Sequence, residues 1–327
     1  MRIAVTGSIA TDHLLTFPGR FAEQLLADRL DRVSLSFLAD GLDVRRGGVA
    51  ANIAFGLGVL GLRPLLVGAV GADFEPYRVW LKDHGVDTEP VRVSETLHTA
   101  RFVCTTDADQ NQIATFYAGA MAEAREIDLR EVIARCGRPD LVLISPDDPA
   151  AMLRHTAACR ELGLAFASDP SQQLARLTRT EVRELIEGAG RLFTNEYESA
   201  LLCERSGLTE AQVLDRVGSW VTTHGEAGVR ISAADRAPLT VPAVEVGQVV
   251  DPTGVGDAFR AGFLAGTAWG VPERYAAQLG CAVAATVLGH TGTQEYRLSR
   301  DSLLARLRAA YGPASETELS AHLRGMR

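Results

Sequence analysis

The sequence contains almost no lysine. Lys82 is the only lysine among the 33 basic residues, and no GxxxxG run precedes it, which excludes a Walker-A phosphate-binding loop. The 41 acidic residues outnumber the basic ones and give a net charge of −8 at pH 7. Because proteins that bind nucleic-acid polymers usually present a basic surface, this balance argues against such a partner. A single nucleotide needs only a local patch of donors and remains compatible with the composition.

Cysteines and long apolar runs are also scarce. The five cysteines are an odd number and form no CxxC pair, which argues against a zinc site and a disulfide framework and predicts reduced thiols. No apolar run approaches the roughly 20 residues that cross a bilayer. The first residues have the pattern of a strand rather than of a signal peptide. We therefore predict a cytoplasmic protein with no membrane partner.

Short β-branched segments alternate with longer amphipathic segments along most of the 327 residues. This alternation is typical of an α/β fold in which a mostly parallel sheet carries helices on both faces. Ligands bind such sheets beyond the carboxyl ends of the strands. Residues 301–327 are predicted to form a helix followed by a frayed end. Strands are predicted at residues 3–6, 64–70, 141–145, 165–169, 191–194 and 220–223, and helices at residues 73–84, 149–162 and 258–269.

Two stretches interrupt this alternation. Residues 33–38 with 42–46, and residues 99–106 with 112–117, each have the pattern of two consecutive strands joined by a short polar turn. Strand pairs without helices predict a small separate sheet, inserted into an α/β body that spans residues 1–327. The insertions lie at about residues 33–46 and 98–117. Such a sheet cannot bury both faces alone, so we expect it to cover the body, another subunit or both. We therefore expect the protein to form a homodimer through this sheet.

The clearest chemical motif is the glycine-rich run at residues 251–262 (DPTGVGDAFRAG), which leads into an apolar helix. Gly254, Val255 and Gly256 direct free main-chain N–H groups at an anion in this interpretation. Asp257 follows in the first helical turn, where its carboxylate can accept a proton from a hydroxyl that attacks phosphorus. The alternative is an acidic helix terminus with glycines that serve packing. The upstream Asp-Pro-Thr favours the catalytic interpretation.

Two earlier segments supply candidate groups for a sugar. In residues 46–54 (RGGVAANIA), Gly48 permits close approach of the main chain, and Asn52 can donate to and accept from a hydroxyl. In residues 7–12 (GSIATD), Asp12 can hold two vicinal hydroxyls. This segment is not GxGxxG, which argues against a dinucleotide fold and a nicotinamide dehydrogenase. A structural asparagine and a turn-forming aspartate remain alternatives.

Two later segments follow predicted strands and can serve a polyphosphate. Residues 223–228 (THGEAG) offer a hydroxyl and glycines at Thr223, Gly225 and Gly228. Residues 195–198 (NEYE) open a helix, where Asn195 lies at the start and Glu198 can orient water around a Mg²⁺ that bridges phosphates. The same spacing fits a capping box, in which the two side chains only close the helix terminus. The residues alone do not decide between these two roles.

Four motifs occur in order: GGxxAN at residues 47–52, NxxE at 195–198, TxGxxG at 223–228 and DPTGVGDAF at 251–259. Over essentially the whole chain they resemble the ribokinase-like family of carbohydrate and nucleoside kinases. The resemblance implies a Rossmann-like body with a β-sheet lid over the acceptor site, and phosphorylation of a primary sugar hydroxyl by MgATP. It also implies Asp257 as the general base, the main chain of residues 254–256 as the anion hole, and a monovalent cation as a further candidate cofactor. Pro252 departs from the threonine of many members and removes a main-chain donor.

Within the family, residues 4–13, 169–174 and 291–295 resemble the bacterial adenosine kinases. That resemblance implies adenosine as the acceptor, a purine stacked between two phenylalanines, and two glutamines that reach the base or a sugar hydroxyl. Lid-core phenylalanines and solvated glutamines are the alternatives. A kinase for ribose, fructose or another nucleoside, and a non-catalytic nucleoside sensor, are the alternative functions. The acceptor residues implied in this way are Ser8, Ser36, Phe102, Phe116, Gln172 and Gln173.

Overall fold

The computed structural model describes residues 1–25 and 34–327 of the chain. Its strands are β1 (Ile3–Thr6), β2 (Ala10–Thr16), β3 (Gly41–Gly47), β4 (Leu65–Val67), β5 (Ala69–Val70), β6 (Arg92–Val93), β7 (Ala100–Thr106), β8 (Gln112–Tyr117), β9 (Leu141–Ile144), β10 (Phe166–Ser168), β11 (Arg191–Asn195), β12 (Trp220–Thr223), β13 (Val229–Ala233) and β14 (Arg236–Val241). Its α-helices are α1 (Phe21–Gln24), α2 (Val49–Val59), α3 (Glu75–Asp83), α4 (Leu129–Cys136), α5 (Pro149–Glu161), α6 (Arg179–Ile186), α7 (Glu196–Ser206), α8 (Glu210–Leu214), α9 (Val255–Trp269), α10 (Glu273–Leu288), α11 (Arg300–Tyr311) and α12 (Pro313–Ser320). Short 3-10 turns lie at Ala72–Phe74, Gly119–Glu126, Ser171–Ala175, Gly225–Ala227 and His322–Gly325.

A large sheet forms the body, in the order β14-β13-β12-β11-β10-β9-β1-β4. Six neighbouring strands of this sheet run parallel, namely β4, β1, β9, β10, β11 and β12. Strands β13 and β14 extend the sheet as an antiparallel hairpin. Alternate residues of β1 enter different apolar clusters, with Ile3 and Val5 on the face covered by α2, α9 and α10 and Ala4 on the opposite face. The predicted α/β architecture with helices on both faces is confirmed.

A second, four-stranded sheet is ordered β3-β2-β7-β8 and is called the lid sheet below. Strand β2 pairs antiparallel with β3 and parallel with β7, and β7 pairs antiparallel with β8. The small separate sheet expected from the sequence is therefore present. A further pair, β5 and β6, forms its own parallel ribbon. Because of this ribbon, the strand predicted at residues 64–70 is divided into β4 and β5.

One predicted lid strand is wrong. Residues 34–38 form no strand, and residue 33 lies outside the described chain. The partner of β3 is β2, a segment for which the sequence predicted no strand. The alternation of apolar and polar residues at positions 34–37 imitates a strand, but Phe37 instead packs its ring 5.0 Å from that of Phe17 and 4.9 Å from that of Phe21.

The C-terminal residues are also more ordered than the sequence indicated. Helix α11 is followed by α12 and a 3-10 turn, and Leu319 and Leu323 are buried in the same apolar cluster as α9 and α10. Burial of these leucines anchors the end of the described chain, so the predicted frayed end is wrong. In the described part of the chain, no helix is both long and apolar enough to cross a membrane.

Candidate active site

Helix α9 begins at a sharp glycine turn. Gly254 occupies the N-cap position with φ +74°, and a β-carbon there would lie 2.8 Å from Cγ2 of Thr293, so both conformation and space require glycine. The first N–H groups of a helix have no intrahelical acceptor. Gly256 and Asp257, in the first turn, supply two of these groups, whereas the Val255 N–H donates to the Pro252 carbonyl at 3.4 Å. The turn can therefore present main-chain donors and the positive end of the helix dipole to an anion.

Asp257 is held by a residue from a distant part of the sequence. Nδ2 of Asn52, on α2, donates a hydrogen bond of 2.8 Å to Oδ2 of Asp257. Burial raises the pKa of Asp257 to about 6, while the bond from Asn52 and the charge of Arg260 oppose the rise. The structure thus joins two predicted site residues. A carboxyl group with this pKa is mostly ionised at pH 7 and can accept a proton.

Asn52 is itself fixed by two residues for which the sequence predicted no role in the site. Its Oδ1 accepts hydrogen bonds of 2.9 Å from Oγ1 of Thr293 and 2.9 Å from Nε2 of Gln294. Both donors lie in residues 291–295 (TGTQE), which follow α10. A short polar run after a long apolar helix was the available signal. This run contributed to the family resemblance, but no role in the site was predicted for it.

A second buried pair lies one helical turn beyond Asp257. Nε of Arg260 lies 2.5 Å from Oδ2 of Asp169, and Nη2 of Arg260 donates to Oδ1 at 2.7 Å. Both side chains are nearly inaccessible to solvent. Burial raises the pKa of Asp169 above its ordinary value, and the guanidinium opposes this rise. The arginine within an otherwise apolar stretch of α9 was the signal for this pair, and sequence reasoning missed it.

Four of the six residues predicted to bind ATP line one cleft of about 740 Å³, and Asn195 and Glu198 are not among the described residues that line it. Thr223, Gly225 and Gly228 form one wall, and Gly256 brings the glycine turn of α9 into contact with the same space. This volume lies within the range of small-molecule pockets, about 300–1,000 Å³. Much of the remaining lining of this cleft is apolar and suits the flat face of a base. It includes Val246, Val249, Phe259, Ala284 and Leu288.

Asn195 and Glu198 form the capping box that the spacing allowed. Oδ1 of Asn195 accepts from the Glu198 N–H at 2.7 Å, and Oε2 of Glu198 accepts from the Asn195 N–H at 2.7 Å. Oε1 of Glu198 accepts a further bond of 3.0 Å from the Ser171 hydroxyl. Each carboxylate oxygen retains a second lone pair, so Glu198 can still accept from water around a metal ion. Across residues 1–25 and 34–327, no group of three or more His, Cys, Asp or Glu side chains is arranged to hold a metal.

The lid sheet places three predicted acceptor residues side by side. Asp12 on β2 lies opposite Phe102 on β7, and Phe102 lies opposite Phe116 on β8. Cross-strand neighbours share a face of the sheet, so one face carries a carboxylate beside two aromatic rings. Arg45 completes the row as the β3 partner of Asp12. Burial raises the pKa of Asp12 to about 6, and the charge of Arg45 opposes the rise.

Ser8 and Gly48 meet at the start of α2. The Ser8 hydroxyl accepts a bond of 3.0 Å from the Val49 N–H, which closes the helix terminus. Gly48 has φ +94°, and a β-carbon there would lie 2.6 Å from the Ser8 carbonyl oxygen. A β-carbon on Gly47 would lie 2.9 Å from Oδ2 of Asp12. The Gly-Gly turn thus brings Ser8, Gly48 and Asp12 into one neighbourhood.

Three predicted residues are not joined to this neighbourhood by a contact. Ser36 is exposed in the irregular segment before β3, and Gln172 is exposed in the 3-10 turn after β10. Gln173 is buried, and within the described chain its Oε1 has no hydrogen-bond partner. These three assignments remain predictions.

Comparison with known proteins agrees with this geometry. The sequence model of the pfkB family of carbohydrate kinases matches residues 11–299. The nucleoside kinase of Methanocaldococcus jannaschii is 31% identical over 264 residues, which cover 80% of this chain and 85% of that protein. The structure of the nucleoside kinase of Burkholderia thailandensis in complex with inosine is 34% identical, with a TM-score of 0.82, and covers 95% of this chain and 98% of its own. The same protein in complex with ADP-inosine is 34% identical, with a TM-score of 0.79, and covers 95% and 96%. The chain therefore belongs to the pfkB family of carbohydrate kinases.

Proposed function

We propose that this protein is an ATP-dependent nucleoside kinase that phosphorylates the 5′-hydroxyl of adenosine to give AMP and ADP. One observation carries the proposal. Asp257 is a partly buried carboxylate at the glycine turn of α9, and that turn also lines the cleft together with Thr223, Gly225 and Gly228. A proton acceptor beside a nucleotide-sized cleft is the arrangement that phosphoryl transfer to an alcohol requires.

The reaction follows from these groups. Asp257 accepts the proton of the 5′-hydroxyl while that oxygen attacks the γ-phosphorus, and the bond from the γ-phosphorus to the β,γ-bridging oxygen breaks to release ADP. The N–H groups of Gly256 and Asp257 stabilise the negative charge on the transferred group, and the Val255 N–H joins them once its 3.4 Å bond to the Pro252 carbonyl is released. Bound Mg²⁺ would neutralise charge on the phosphates, and Glu198 would hold it through water. Asp257 then releases its proton to solvent.

The lid sheet supports a nucleoside rather than a simple sugar as the acceptor. The rings of Phe102 and Phe116 stand on the same face as Asp12, at the separation of cross-strand neighbours. Phe116 is 52% exposed in the ligand-free chain, so its ring is available to a ligand. A hexose carries no planar base that could stack on two aromatic rings. Stacking of a base on an aromatic side chain contributes about 1–3 kcal/mol.

Inosine is a second candidate acceptor. The Burkholderia thailandensis nucleoside kinase, 34% identical to this chain, has been solved in complex with inosine. Adenosine and inosine share the ribose and the purine ring system, so Asp12, Asn52 and the two phenylalanines can serve either. The bases differ at position 6, where adenine carries an amino donor and hypoxanthine an oxygen acceptor. A group that contacts position 6 would decide the preference.

The test is ADP release with MgATP and a panel of adenosine, inosine, cytidine, ribose and fructose. We expect the highest kcat/KM with adenosine, and activity of Asp257→Asn at least about 1,000-fold lower with nucleoside binding retained. A preference for ribose or fructose would replace the nucleoside assignment with a sugar kinase. Equal ADP release by the wild type and Asp257→Asn would exclude the catalytic role of Asp257, and no ADP release with any acceptor would favour a sensor. Parallel reactions in Na⁺ and K⁺ salts test the monovalent cation.

The lid sheet also supports a homodimer. Leu42, Val44 and Ile113 lie on the face opposite to the Asp12 row and are exposed, Leu42 to 61%. Apolar side chains grouped on one exposed sheet face are typical of a surface that another chain covers. Sedimentation of the wild type and of Leu42→Glu/Val44→Glu tests this expectation. A wild type that remains monomeric at working concentrations would contradict it.

A further inference from the structure

A chain of polar side chains runs from the edge of α3 to the candidate base. Nε1 of Trp80 donates to Oε1 of Gln294 at 3.1 Å. Nε2 of Gln294 donates to Oδ1 of Asn52 at 2.9 Å, and Nδ2 of Asn52 donates to Oδ2 of Asp257 at 2.8 Å. The four residues come from α3, the segment after α10, α2 and α9. We call this series the amide relay.

The direction of every hydrogen bond in the amide relay is set by its first member. An indole N–H can only donate, so the atom of Gln294 that faces Trp80 must be the oxygen. The amino group of Gln294 then faces Asn52, which must present its own oxygen. The amino group of Asn52 is thereby turned toward Asp257, whose ionised carboxylate can only accept.

A further contact holds the same orientation. The Tyr77 hydroxyl donates to the Gly47 carbonyl at 3.0 Å, so it accepts rather than donates in its contact with the Gln294 amino group. The Thr293 hydroxyl lies 2.9 Å from both Oδ1 of Asn52 and the Arg46 carbonyl oxygen, and its single proton is shared between these two acceptors. Gln294 is 1% exposed and Asn52 is also buried. A reversed amide at either position would leave donors facing donors where water cannot compensate.

We propose that Gln294, oriented by Trp80, is a positioning residue that fixes the Asn52 amide with its N–H toward Asp257. The proposal rests on the proposed function, because it assigns the means by which the general base is kept ionised and aimed. One hydrogen of Nδ2 is committed to Asp257, and the other remains free to donate to the acceptor. Oδ1 is occupied by Thr293 and Gln294, so Asn52 acts toward the substrate as a donor only.

The pKa of Asp257 reports on this orientation. Burial raises that pKa to about 6, and the bond from Asn52 is the largest of the effects that lower it. A reversed amide would place Oδ1 against the carboxylate and raise the pKa further. The relay variants below leave the other titratable groups around Asp257 unchanged. These are Arg260 on the same helix, Glu198 on α7, Asp169 after β10 and Tyr296 before α11.

The first test is the pH dependence of kcat/KM for the nucleoside at saturating MgATP, in Gln294→Met and Trp80→Phe. Gln294→Met keeps the length of the side chain and removes its hydrogen bonds, and Trp80→Phe removes the donor that orients it. Loss of one hydrogen bond to a charged group corresponds to about one pH unit. We expect the acid limb to move from about 6 to about 7. That shift lowers kcat/KM about eightfold at pH 5.5 and hardly at all at pH 8.5.

Two substitutions of Thr293 provide a matched control. Thr293→Val removes the hydroxyl and keeps the methyl group that packs against Gly254, so we expect a smaller upward shift of the acid limb. Thr293→Ser keeps the hydroxyl and removes the methyl group, so the limb should stay in place. An acid limb that is the same in the wild type, Gln294→Met, Trp80→Phe and Thr293→Val would overturn the proposal, whatever the change in kcat.

A second readout does not depend on activity. The ¹³C resonance of the Asp257 carboxyl group, assigned by its loss in Asp257→Asn, gives the pKa of this group in the ligand-free protein. An upward shift in Gln294→Met supports the relay even if the wild type phosphorylates no nucleoside, in which case the proposed function alone fails. An active wild type with an unchanged Asp257 titration in Gln294→Met and Trp80→Phe refutes the relay alone. If Gln294→Met does not fold, the titration of Asp257 in Trp80→Phe and Thr293→Val tests the proposal instead.

Discussion

The buried pair of Arg260 and Asp169 makes a quantitative prediction about stability. The guanidinium meets the carboxylate through contacts of 2.5 and 2.7 Å, and the two side chains are 8% and 0% exposed. Arg260→Met removes the only positive charge in contact with Asp169 among the described residues, while Asp169 stays buried. Breaking such a pair on one side costs about 3–5 kcal/mol of unfolding free energy.

The pH dependence of this loss can be derived from the same geometry. Without Arg260 the carboxyl group folds in its protonated form, because burial already raises its pKa. In the wild type the folded-state pKa of Asp169 is already raised to about 7, so at pH 5.5 both proteins fold with a protonated carboxyl group and the loss does not depend on pH. Above pH 7 the wild type releases this proton while the variant, which lacks the guanidinium, keeps it, so the loss grows by up to about 1.4 kcal/mol for each pH unit. We expect the loss at pH 8.5 to exceed the loss at pH 5.5 by about 2 kcal/mol.

Urea denaturation followed by tryptophan fluorescence at both pH values measures the effect. Arg260→Met/Asp169→Asn, compared with Asp169→Asn, is the control, because the titrating group is absent from both proteins and the loss should not depend on pH. It should also be more stable than Arg260→Met alone at pH 7, which a double-mutant cycle with Asp169→Asn quantifies. A loss in Arg260→Met that is below 1 kcal/mol, or equal at both pH values, would refute the reasoning.

Three further predictions concern activity. The wild-type kcat/KM should fall about tenfold per pH unit below pH 6, because the Asp257 carboxylate must be ionised to accept a proton. A pH profile of kcat/KM without an acid limb between pH 5 and 7 would contradict this prediction. Gly254→Ala should lower kcat at least about tenfold with little change in nucleoside affinity, since the new methyl group meets Thr293 and displaces the anion-binding turn. Steady-state kinetics measure kcat, and calorimetry measures the affinity. An unchanged kcat would show that the turn does not contribute to catalysis. Phe102→Ala should weaken adenosine binding by about 1–3 kcal/mol and leave ribose unchanged; equal losses for both ligands in calorimetry would exclude stacking.

Much of the body could be predicted from local sequence. The bounds predicted for β1 and β12 agree with the structure, and α3 and α5 begin and end within two residues of the predicted bounds. Strand and helix periodicities are properties of neighbouring residues, so a short window contains the information. The glycine run before α9 is a local signal as well, because φ +74° at Gly254 admits few other residues.

The strand pairing of the lid sheet could not be predicted from local sequence patterns. Strand β2 carries Thr11, Asp12 and His13 in succession, which conceals its strand character, and its partners β3 and β7 lie far along the chain. Residues 34–37 have the better strand pattern and form none. Pairing between distant segments decided this outcome, and a periodicity within one segment does not record it.

The sequence by itself determined the chemical groups and their order along the chain: a carboxylate behind a glycine turn, glycines and a threonine after a strand, and an amide in a helix of small residues. Only the tertiary structure decided what surrounds them. Asn52 and Asp257 are 205 positions apart, and their contact exists because α2 and α9 pack on the same face of the sheet. Burial then raises the pKa of Asp257, and the donor-only nitrogen of Trp80 determines which way the amides between them point. Solvation and hydrogen-bond direction depend on neighbours in space, which is why a reading of residue order could name the base but not its state of ionisation.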